Sequence, residues 1–109
     1  MSQERESPLS AIRHEDGLAL CCSHCGSEYT HHYAVDVYFR NEDKNSGVHS
    51  FTTRAGTRAD SHMTDNPSRR RSGIRVRCSC EQCDGITEII VEQHKGETLL
   101  STRAMPRTE

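Results

Sequence analysis

Two short cysteine-rich stretches decide the fold: CCSHCG at residues 21–26 and CSCEQCDG at residues 78–85. Each contains a Cys-x-x-Cys pair, with a glycine within two residues of the second cysteine. Two cysteines at this spacing on a tight turn direct both sulfurs at one point, and the glycine permits the positive φ that such a turn favours. The pattern predicts one metal site with four thiolate ligands, Cys22, Cys25, Cys80 and Cys83.

The ligand set favours zinc in a structural role. Four thiolates fill a tetrahedral coordination sphere and leave no position for water or a substrate. The expected cofactor is therefore one Zn²⁺ that contributes folding energy rather than catalysis. An iron–sulfur cluster, disulfides and a redox pair are the alternatives for the same cysteines. Cys21 and Cys78 lie outside the set and are expected to be small buried hydrophobic residues, with ligand exchange or a disulfide as the alternative.

The composition explains why such a chain needs a metal. The 109 residues are 32% hydrophobic and 5% aromatic, with no tryptophan. A core of this size rarely supplies more than about 3–5 kcal/mol without a staple. No apolar run is long enough for a transmembrane helix, and the polar start at residues 1–6 is not followed by the apolar stretch of a signal peptide. We expect a cytoplasmic protein in a reducing compartment, with no membrane association.

The hydrophobic pattern predicts strands only. Residues 29–40 alternate with period two and favour a half-buried strand, which residues 48–53 extend into a hairpin. All five aromatic residues lie between 29 and 51, so this hairpin is expected to hold most of the apolar core. Residues 74–79 and 86–93 form a second hairpin around the second cysteine turn, and residues 97–102 add a further strand. No helical pattern of useful length is present.

The domain organisation follows from these elements. One all-β domain is expected over residues 17–102, between a flexible N-terminal tail at 1–16 and a frayed C-terminal tail at 103–109. Residues 55–72 are rich in turn-forming residues and poor in apolar ones, which predicts a mobile loop inside the domain.

The two cysteine stretches CSHCG and CEQCDG resemble the paired zinc knuckles of the zinc-ribbon family. The resemblance covers residues 18–40 and 74–93, and it implies a small all-β zinc ribbon in which two β-hairpins hold one ion between their tips. The 54 intervening residues, 26–79, exceed the length that a compact ribbon uses, so a long inserted loop is left unexplained. The whole chain is also loosely similar to small actinobacterial and phage zinc-ribbon proteins, which implies no particular activity.

An arginine-rich segment is the main signal for a partner. Residues 51–77 contain seven arginines and two aspartates. Clustered arginines can grip phosphates, and loop arginines often become ordered on binding. The expected nucleic-acid contacts are Arg69, Arg70, Arg71, Arg75 and Arg77. The alternative is a solvated loop, with the last two arginines paired to Glu88 or Glu92 across the hairpin.

The function expected from these features is a non-enzymatic module that contacts nucleic acid or the transcription machinery. The alternative is an adaptor whose aromatic hairpin or sheet edge docks on a protein. A nuclease of the HNH type is a further alternative, although His49, His62 and Asn66 lack the order and the helix that such a site needs. No Gly-x-Ser-x-Gly motif, P-loop or dinucleotide fingerprint occurs, so no catalytic residue and no small-molecule substrate are predicted.

Overall fold

The fold consists of antiparallel β-strands over the residues that the computed structural model describes, 10–105. Eight strands and no helix occur in that range. They are β1 (Ala11–His14), β2 (Gly17–Leu20), β3 (Thr30–Arg40), β4 (Ser46–Thr53), β5 (Gly56–His62), β6 (Gly73–Cys80), β7 (Ile86–His94) and β8 (Glu97–Met105). The all-β prediction is confirmed. With strands alone, this part of the chain offers no helix of the length and apolarity that a membrane span requires.

The strands form one hairpin and one larger sheet. β1 pairs with β2 alone, and the other six strands form a sheet in the order β5-β4-β3-β6-β7-β8. Both predicted hairpins are present, as β3–β4 and β6–β7, and β8 extends the second. β3 also pairs with β6, which joins the two hairpins. At the centre of the sheet, Asp36 lies opposite Phe51 of β4 and Arg75 of β6.

One segment predicted as a loop is partly a strand. β5 occupies the first half of residues 55–72 and pairs with β4. All seven of its residues are exposed, so the sequence lacks the apolar alternation that marks a half-buried strand. Backbone pairing holds β5 in place, together with a hydrogen bond of 2.8 Å between the Thr52 and Thr57 hydroxyls. The loop prediction is therefore wrong for residues 56–62.

Part of each predicted tail is also a strand. Residues 11–14 pair with residues 17–20, whereas residues 1–9 of the predicted N-terminal tail lie outside the described residues. β8 continues to Met105, past the predicted strand end at residue 102, because it pairs with β7 along its whole length. Residues 106–109 lie outside the described residues.

The aromatic residues do not form the core predicted for the first hairpin. Tyr38 is buried, but Tyr29, Tyr33 and Phe39 are exposed and Phe51 is half-buried. Successive side chains of a strand point to opposite faces, and in β3 the more buried face is the one that carries Tyr38. The prediction of an aromatic core is therefore wrong.

The buried side of the large sheet, which we call the charged face, is polar. The strand register places on it the charged or titratable residues Asp36, His49, Arg58, Asp60, Arg75, Arg77, Glu88, Glu92 and Arg103, together with Ala34, Tyr38, Phe51, Ile90 and Leu99. The carboxylate of Glu88, which is completely buried, accepts hydrogen bonds from Arg75 Nε at 2.6 Å and Arg103 Nε at 3.1 Å. Arg77 lies 3.7 Å from the same carboxylate and 3.5 Å from Asp36. Three guanidinium groups thus compensate one buried carboxylate, as a buried charge requires.

His49 links two carboxylates on the same face. Its Nε2 lies 2.7 Å from Asp36 and its Nδ1 lies 3.0 Å from Asp60, while its ring stacks on Tyr38 at a centroid distance of 4.4 Å. Burial acts to lower the pKa of His49, but the two carboxylates outweigh it and raise that pKa above 6.5. When it is protonated, the His49 ring can donate to both carboxylates and so bridges β3, β4 and β5.

The opposite side of the sheet, which we call the neutral face, carries no Asp, Glu, Lys or Arg at its ladder positions, and the exposed His32 lies opposite Cys78 at its metal end. The register places on it Val35, Val37, Phe39, Val48, Ser50, Thr52, Thr57, Ala59, Ile74, Val76, Cys78, Thr87, Ile89, Val91, Gln93, Thr98, Leu100, Thr102 and Ala104. Most of its apolar side chains are half-buried or exposed. Many apolar side chains of the strands thus lie on the more exposed side, whereas Ala34, Tyr38 and Ile90 are buried on the charged face.

Candidate metal centre

The four cysteines predicted as ligands lie together at one end of the sheet. Cys22 and Cys25 belong to the connection between β2 and β3, which we call the first knuckle (residues 22–26). Cys80 ends β6, and Cys83 lies in the turn to β7, within the second knuckle (residues 80–85). All four Sγ atoms lie within 4.8 Å of one another, so the residues are positioned for metal binding.

The spacing of the sulfurs fits a tetrahedral ion. The Cys22 and Cys83 sulfurs are 3.7 Å apart, and the Cys25 and Cys80 sulfurs are 3.5 Å apart. A regular tetrahedron with Zn–S bonds of about 2.3 Å has edges of about 3.8 Å. All six cysteines of the chain are free, so no disulfide competes for these sulfurs. The donor set and its geometry therefore suit one tetrahedral metal ion.

Backbone amides support the sulfurs from within each knuckle. The amides of His24, Gln82 and Gly85 each donate to the cysteine sulfur two residues earlier, at 3.2–3.3 Å. Such bonds offset the negative charge of thiolates and orient them toward a shared ion. The knuckles thus carry both the ligands and the hydrogen bonds that a thiolate site needs.

The thiol pKa values differ within the first knuckle. Burial acts to raise the pKa of Cys22, but backbone hydrogen bonds from Cys25 and His24 and contacts with the neighbouring thiols outweigh it and lower that pKa to about 6. A backbone hydrogen bond from Ser27 acts to lower the pKa of Cys25, but the other three cysteines outweigh it and raise that pKa to about 12. A bound divalent cation would favour the thiolate form throughout.

The glycines of the two knuckles, Gly26 and Gly85, serve different purposes. Gly26 has φ of 84°, the left-handed conformation predicted for it, and its amide donates to the carbonyl of Cys22 at 2.9 Å. Gly85 is required for a different reason: the ring of His24 packs so close to it that a Cβ at residue 85 would lie 2.5 Å from Cγ of His24. The His24 ring lies over Gly85 and places Nε2 3.2 Å from the carbonyl of Ile86 and 3.0 Å from that of Met105.

Cys21 and Cys78 do not belong to the four-sulfur cluster. Both are buried and free, as predicted for small hydrophobic residues. Burial raises the pKa of the Cys78 thiol, which keeps it protonated and a poor metal ligand.

The structure separates the five arginines predicted as nucleic-acid contacts. Arg69, Arg70 and Arg71 are exposed on the segment between β5 and β6. Arg75 is buried against Glu88, and Arg77 is half-buried in the same network on the charged face. The pairing across the β6–β7 hairpin that the sequence left as an alternative is therefore present for these two residues, and they do not adjoin the other three.

The segment that carries the three exposed arginines, which we call the arginine loop (residues 63–72), is held by specific hydrogen bonds. The guanidinium of Arg40 donates to the carbonyls of Ser68 at 2.9 Å and Arg71 at 3.2 Å. The side chain of Asn66 donates to the carbonyl of Arg71 at 2.9 Å and accepts from the amide of Ser68 at 2.9 Å. The buried Ser68 hydroxyl also donates to the carbonyl of Gln93 at 3.0 Å, which ties the loop to β7.

Sequence reasoning missed the residues that join the knuckles to the sheet. His24 bridges to β7 and β8, and Thr87 accepts a hydrogen bond from the amide of Ser23 at 2.8 Å. It also missed Arg40 as the anchor of the arginine loop. No local pattern marks these residues, since each acts on a part of the chain that is distant in sequence.

Comparison with known proteins identifies no relative: no protein-family model, no curated protein and no solved structure matches the chain. The resemblance to zinc ribbons therefore rests on the two knuckles and on the cluster that their sulfurs form.

Proposed function

We propose that the chain is a structural-zinc module that contacts nucleic acid through the exposed side chains of Arg69, Arg70 and Arg71. The metal role rests on the four-sulfur cluster. Because four thiolates fill the coordination sphere of zinc, the proposed ion shapes the fold and carries out no chemistry. The cluster would hold the two knuckles together at one end of the sheet, while the arginine loop lies near the other end of β3 and β7.

The observation that carries the nucleic-acid proposal is the presentation of three consecutive arginines on an anchored loop. The hydrogen bonds from Arg40 and Asn66 fix the loop backbone and leave the three side chains at the surface. A cleft of about 430 Å³ borders them and is also lined by Glu92, His94 and Lys95. Exposed guanidinium groups beside a further cation favour contact with a phosphate backbone, because each can neutralise one phosphate.

The proposal narrows the contact surface to the arginine loop. Arg75 and Arg77 are engaged with Glu88 and Asp36, so a phosphate could recruit them only by breaking ion pairs on the charged face. Breaking a buried pair leaves its carboxylate uncompensated, which costs several kcal/mol. We therefore assign these two arginines to stability.

The test is a titration of zinc-loaded protein with labelled single-stranded DNA, duplex DNA and single-stranded RNA of mixed sequence, followed by fluorescence anisotropy over a range of salt concentrations. We expect binding at low salt that weakens as salt rises. The triple variant R69A/R70A/R71A should bind at least tenfold more weakly. On duplex DNA its salt slope should be less steep by up to about 2.7, since each phosphate contact contributes roughly 0.9.

The matched control removes three other exposed arginines, Arg13, Arg54 and Arg58, which lie outside the arginine loop. This variant loses the same charge, so it should retain most of the binding if the loop is the contact surface. Equal losses in both triple variants, or no binding of any oligomer at low salt, would contradict the proposal. A protein partner that survives nuclease treatment would favour the adaptor alternative.

A further inference from the structure

The large sheet buries charged side chains on one face, beside Ala34, Tyr38 and Ile90, and exposes apolar side chains on the other. The charged face contains the fully buried Glu88 and the buried Asp36 and Arg75. The neutral face instead exposes Phe39 by 62%, Val48 by 55% and Leu100 by 54%. An antiparallel sheet normally directs its apolar side to a core and its polar side to water. The neutral face therefore has the composition of a protein interior, and the described part of the chain supplies no second layer to cover it.

Among residues 10–105, only those at the metal end of the neutral face are covered by other parts of the chain. Cys78, Thr87 and Thr102 are buried there, and the amide of Ser23 in the first knuckle donates to the Thr87 hydroxyl. Farther from the knuckles, the row Val37–Ile74–Val91–Leu100 crosses four neighbouring strands, and its members are half-buried or exposed. The uncovered region is thus a continuous apolar strip, not a set of isolated side chains.

We propose that this uncovered part of the neutral face packs against the same face of a second copy of the chain. The uncovered part of the face suits self-association because its ladder positions carry no Asp, Glu, Lys or Arg, so two copies meet there with neither like-charge repulsion nor buried unpaired ions. In a dimer with twofold symmetry the same patch serves on both subunits. The result is a two-layer sandwich with the sheets about 10 Å apart, in which each copy supplies the core that the other lacks.

The size of the uncovered region supports a dimer of modest affinity. Six neighbouring strands about 4.8 Å apart make the face roughly 29 Å wide. Five residues along each strand, at about 3.4 Å per residue, make it roughly 17 Å long. Two such faces bury on the order of 1,000 Å², which is the lower limit for a specific interface. We therefore expect a dissociation constant in the micromolar range.

The proposed dimer leaves the arginine loop accessible. The loop packs on the charged side of the sheet, where Asn66 and Pro67 lie against Gly73. Gly73 is opposite Tyr38, a charged-face residue. Self-association through the neutral face is therefore independent of the nucleic-acid contact, and either can fail while the other holds.

The test is sedimentation velocity of the full-length zinc-loaded chain from about 1 to about 500 μM, with two neighbouring leucines of β8 as matched sites. Leu100 is on the neutral face, whereas Leu99 pairs with Glu92 and is on the charged face. Both are exposed, at 54% and 41%. Leu100→Glu should raise the dimer dissociation constant at least tenfold, and Leu99→Glu should change it less than threefold.

A second, milder variant guards against loss of folding. Phe39→Ser removes an exposed side chain from the neutral face and should also weaken the dimer at least tenfold, with circular dichroism and zinc content unchanged. A wild-type chain that stays monomeric throughout the range would overturn the proposal, even if another protein binds this face. Equal effects of the two leucine variants would also overturn it, because the dimer would then use a different surface.

Discussion

The backbone amide of Ser23 donates a hydrogen bond of 2.8 Å to the hydroxyl of Thr87, which lies 64 residues later in the chain. Thr87 is almost completely buried, so water does not compete for this hydroxyl. Ser23 directly follows the candidate ligand Cys22, and Thr87 lies at the start of β7, just after the second knuckle. The bond therefore fixes the first knuckle relative to the second before any ion is considered.

Replacing Thr87 with valine tests this link, because valine keeps the side-chain volume and removes the acceptor. We expect Thr87→Val to lower the free energy of unfolding of the zinc-loaded chain by about 1 kcal/mol, the usual net value of one hydrogen bond. Urea denaturation measures this loss, and competition with a chelator should show weaker zinc binding. Thr87→Ser, which keeps the hydroxyl, is the control. Wild-type zinc affinity in Thr87→Val would show that the link does not position the ligands.

Gly85 and His24 are expected to be coupled. A methyl group at residue 85 would lie 2.5 Å from Cγ of His24, so the ring must move and give up its contacts with the carbonyls of Ile86 and Met105. Gly85→Ala should therefore cost about 1–3 kcal/mol, as overpacking does elsewhere. In the double variant H24A/G85A the clash with the imidazole ring is removed and only a 2.9 Å contact with Cβ of residue 24 is left, so a double-mutant cycle should give a coupling well above the scatter of independent sites. Additive losses would contradict this packing.

Glu88 is expected to be the most sensitive residue of the charged face. Glu88→Gln removes the charge that compensates Arg75, Arg77 and Arg103, and of these three only Arg77 also pairs with the buried carboxylate of Asp36. We expect a loss of about 3–5 kcal/mol in the free energy of unfolding, measured by chemical denaturation. Glu81→Gln breaks only the exposed pair with His31 and should cost at most about 1 kcal/mol. Similar losses in the two variants would mean that burial of Glu88 has no energetic consequence.

The stability of the chain should depend on the protonation of His49. Burial acts to lower its pKa, but Asp36 and Asp60 raise the pKa above 6.5. A group whose pKa is raised by folding stabilises the folded state, and the full effect is present when the pH lies below the pKa of that group in the unfolded chain. The stabilisation is lost as the pH rises through the pKa of the group in the folded state. The difference in unfolding free energy between the wild type and His49→Gln should therefore shrink as the pH rises above 6.5 and through the raised pKa of His49 in the folded state.

Both proteins are measured in saturating zinc at each pH. The pH dependence of zinc binding by the thiolates is then the same in both proteins and cancels in the difference between their unfolding free energies. Denaturation curves at several pH values provide the measurement. A difference between wild type and variant that stays constant or grows with pH would show that the imidazolium does not bridge the two carboxylates.

Local pattern predicted the central strands because their residues alternate strictly. In β3 and β6 the β-branched residues Val35, Val37, Ile74 and Val76 recur at every second position, and this period is the same whichever face is buried. The pattern does not say which face becomes the interior, so the burial of Asp36 and Tyr38 could not be predicted from it. β5 could not be predicted either, since all seven of its residues are exposed and its pairing depends on the backbone.

The ligands of the candidate site were predictable because a Cys-x-x-Cys pair is local and its geometry follows from a single turn. The residues that support them were not. His24 and Thr87 act on elements more than 60 residues away in the chain, and Gly85 is required by the ring of His24 instead of by its own φ. Among the arginines, only the fold separates the exposed Arg69 from the buried Arg75.

A single metal ion is expected to hold the two knuckles together. Element analysis of the purified chain, combined with thermal melting before and after metal removal, tests this clamp most directly. We expect one zinc per chain and a cooperative melting transition that is lost in excess chelator and restored by added zinc. Replacing either Cys25 or Cys80 with serine should abolish stoichiometric zinc, whereas Cys21→Ser should retain it. Metal-free protein that melts cooperatively at the same temperature as the zinc-loaded form would contradict the clamp.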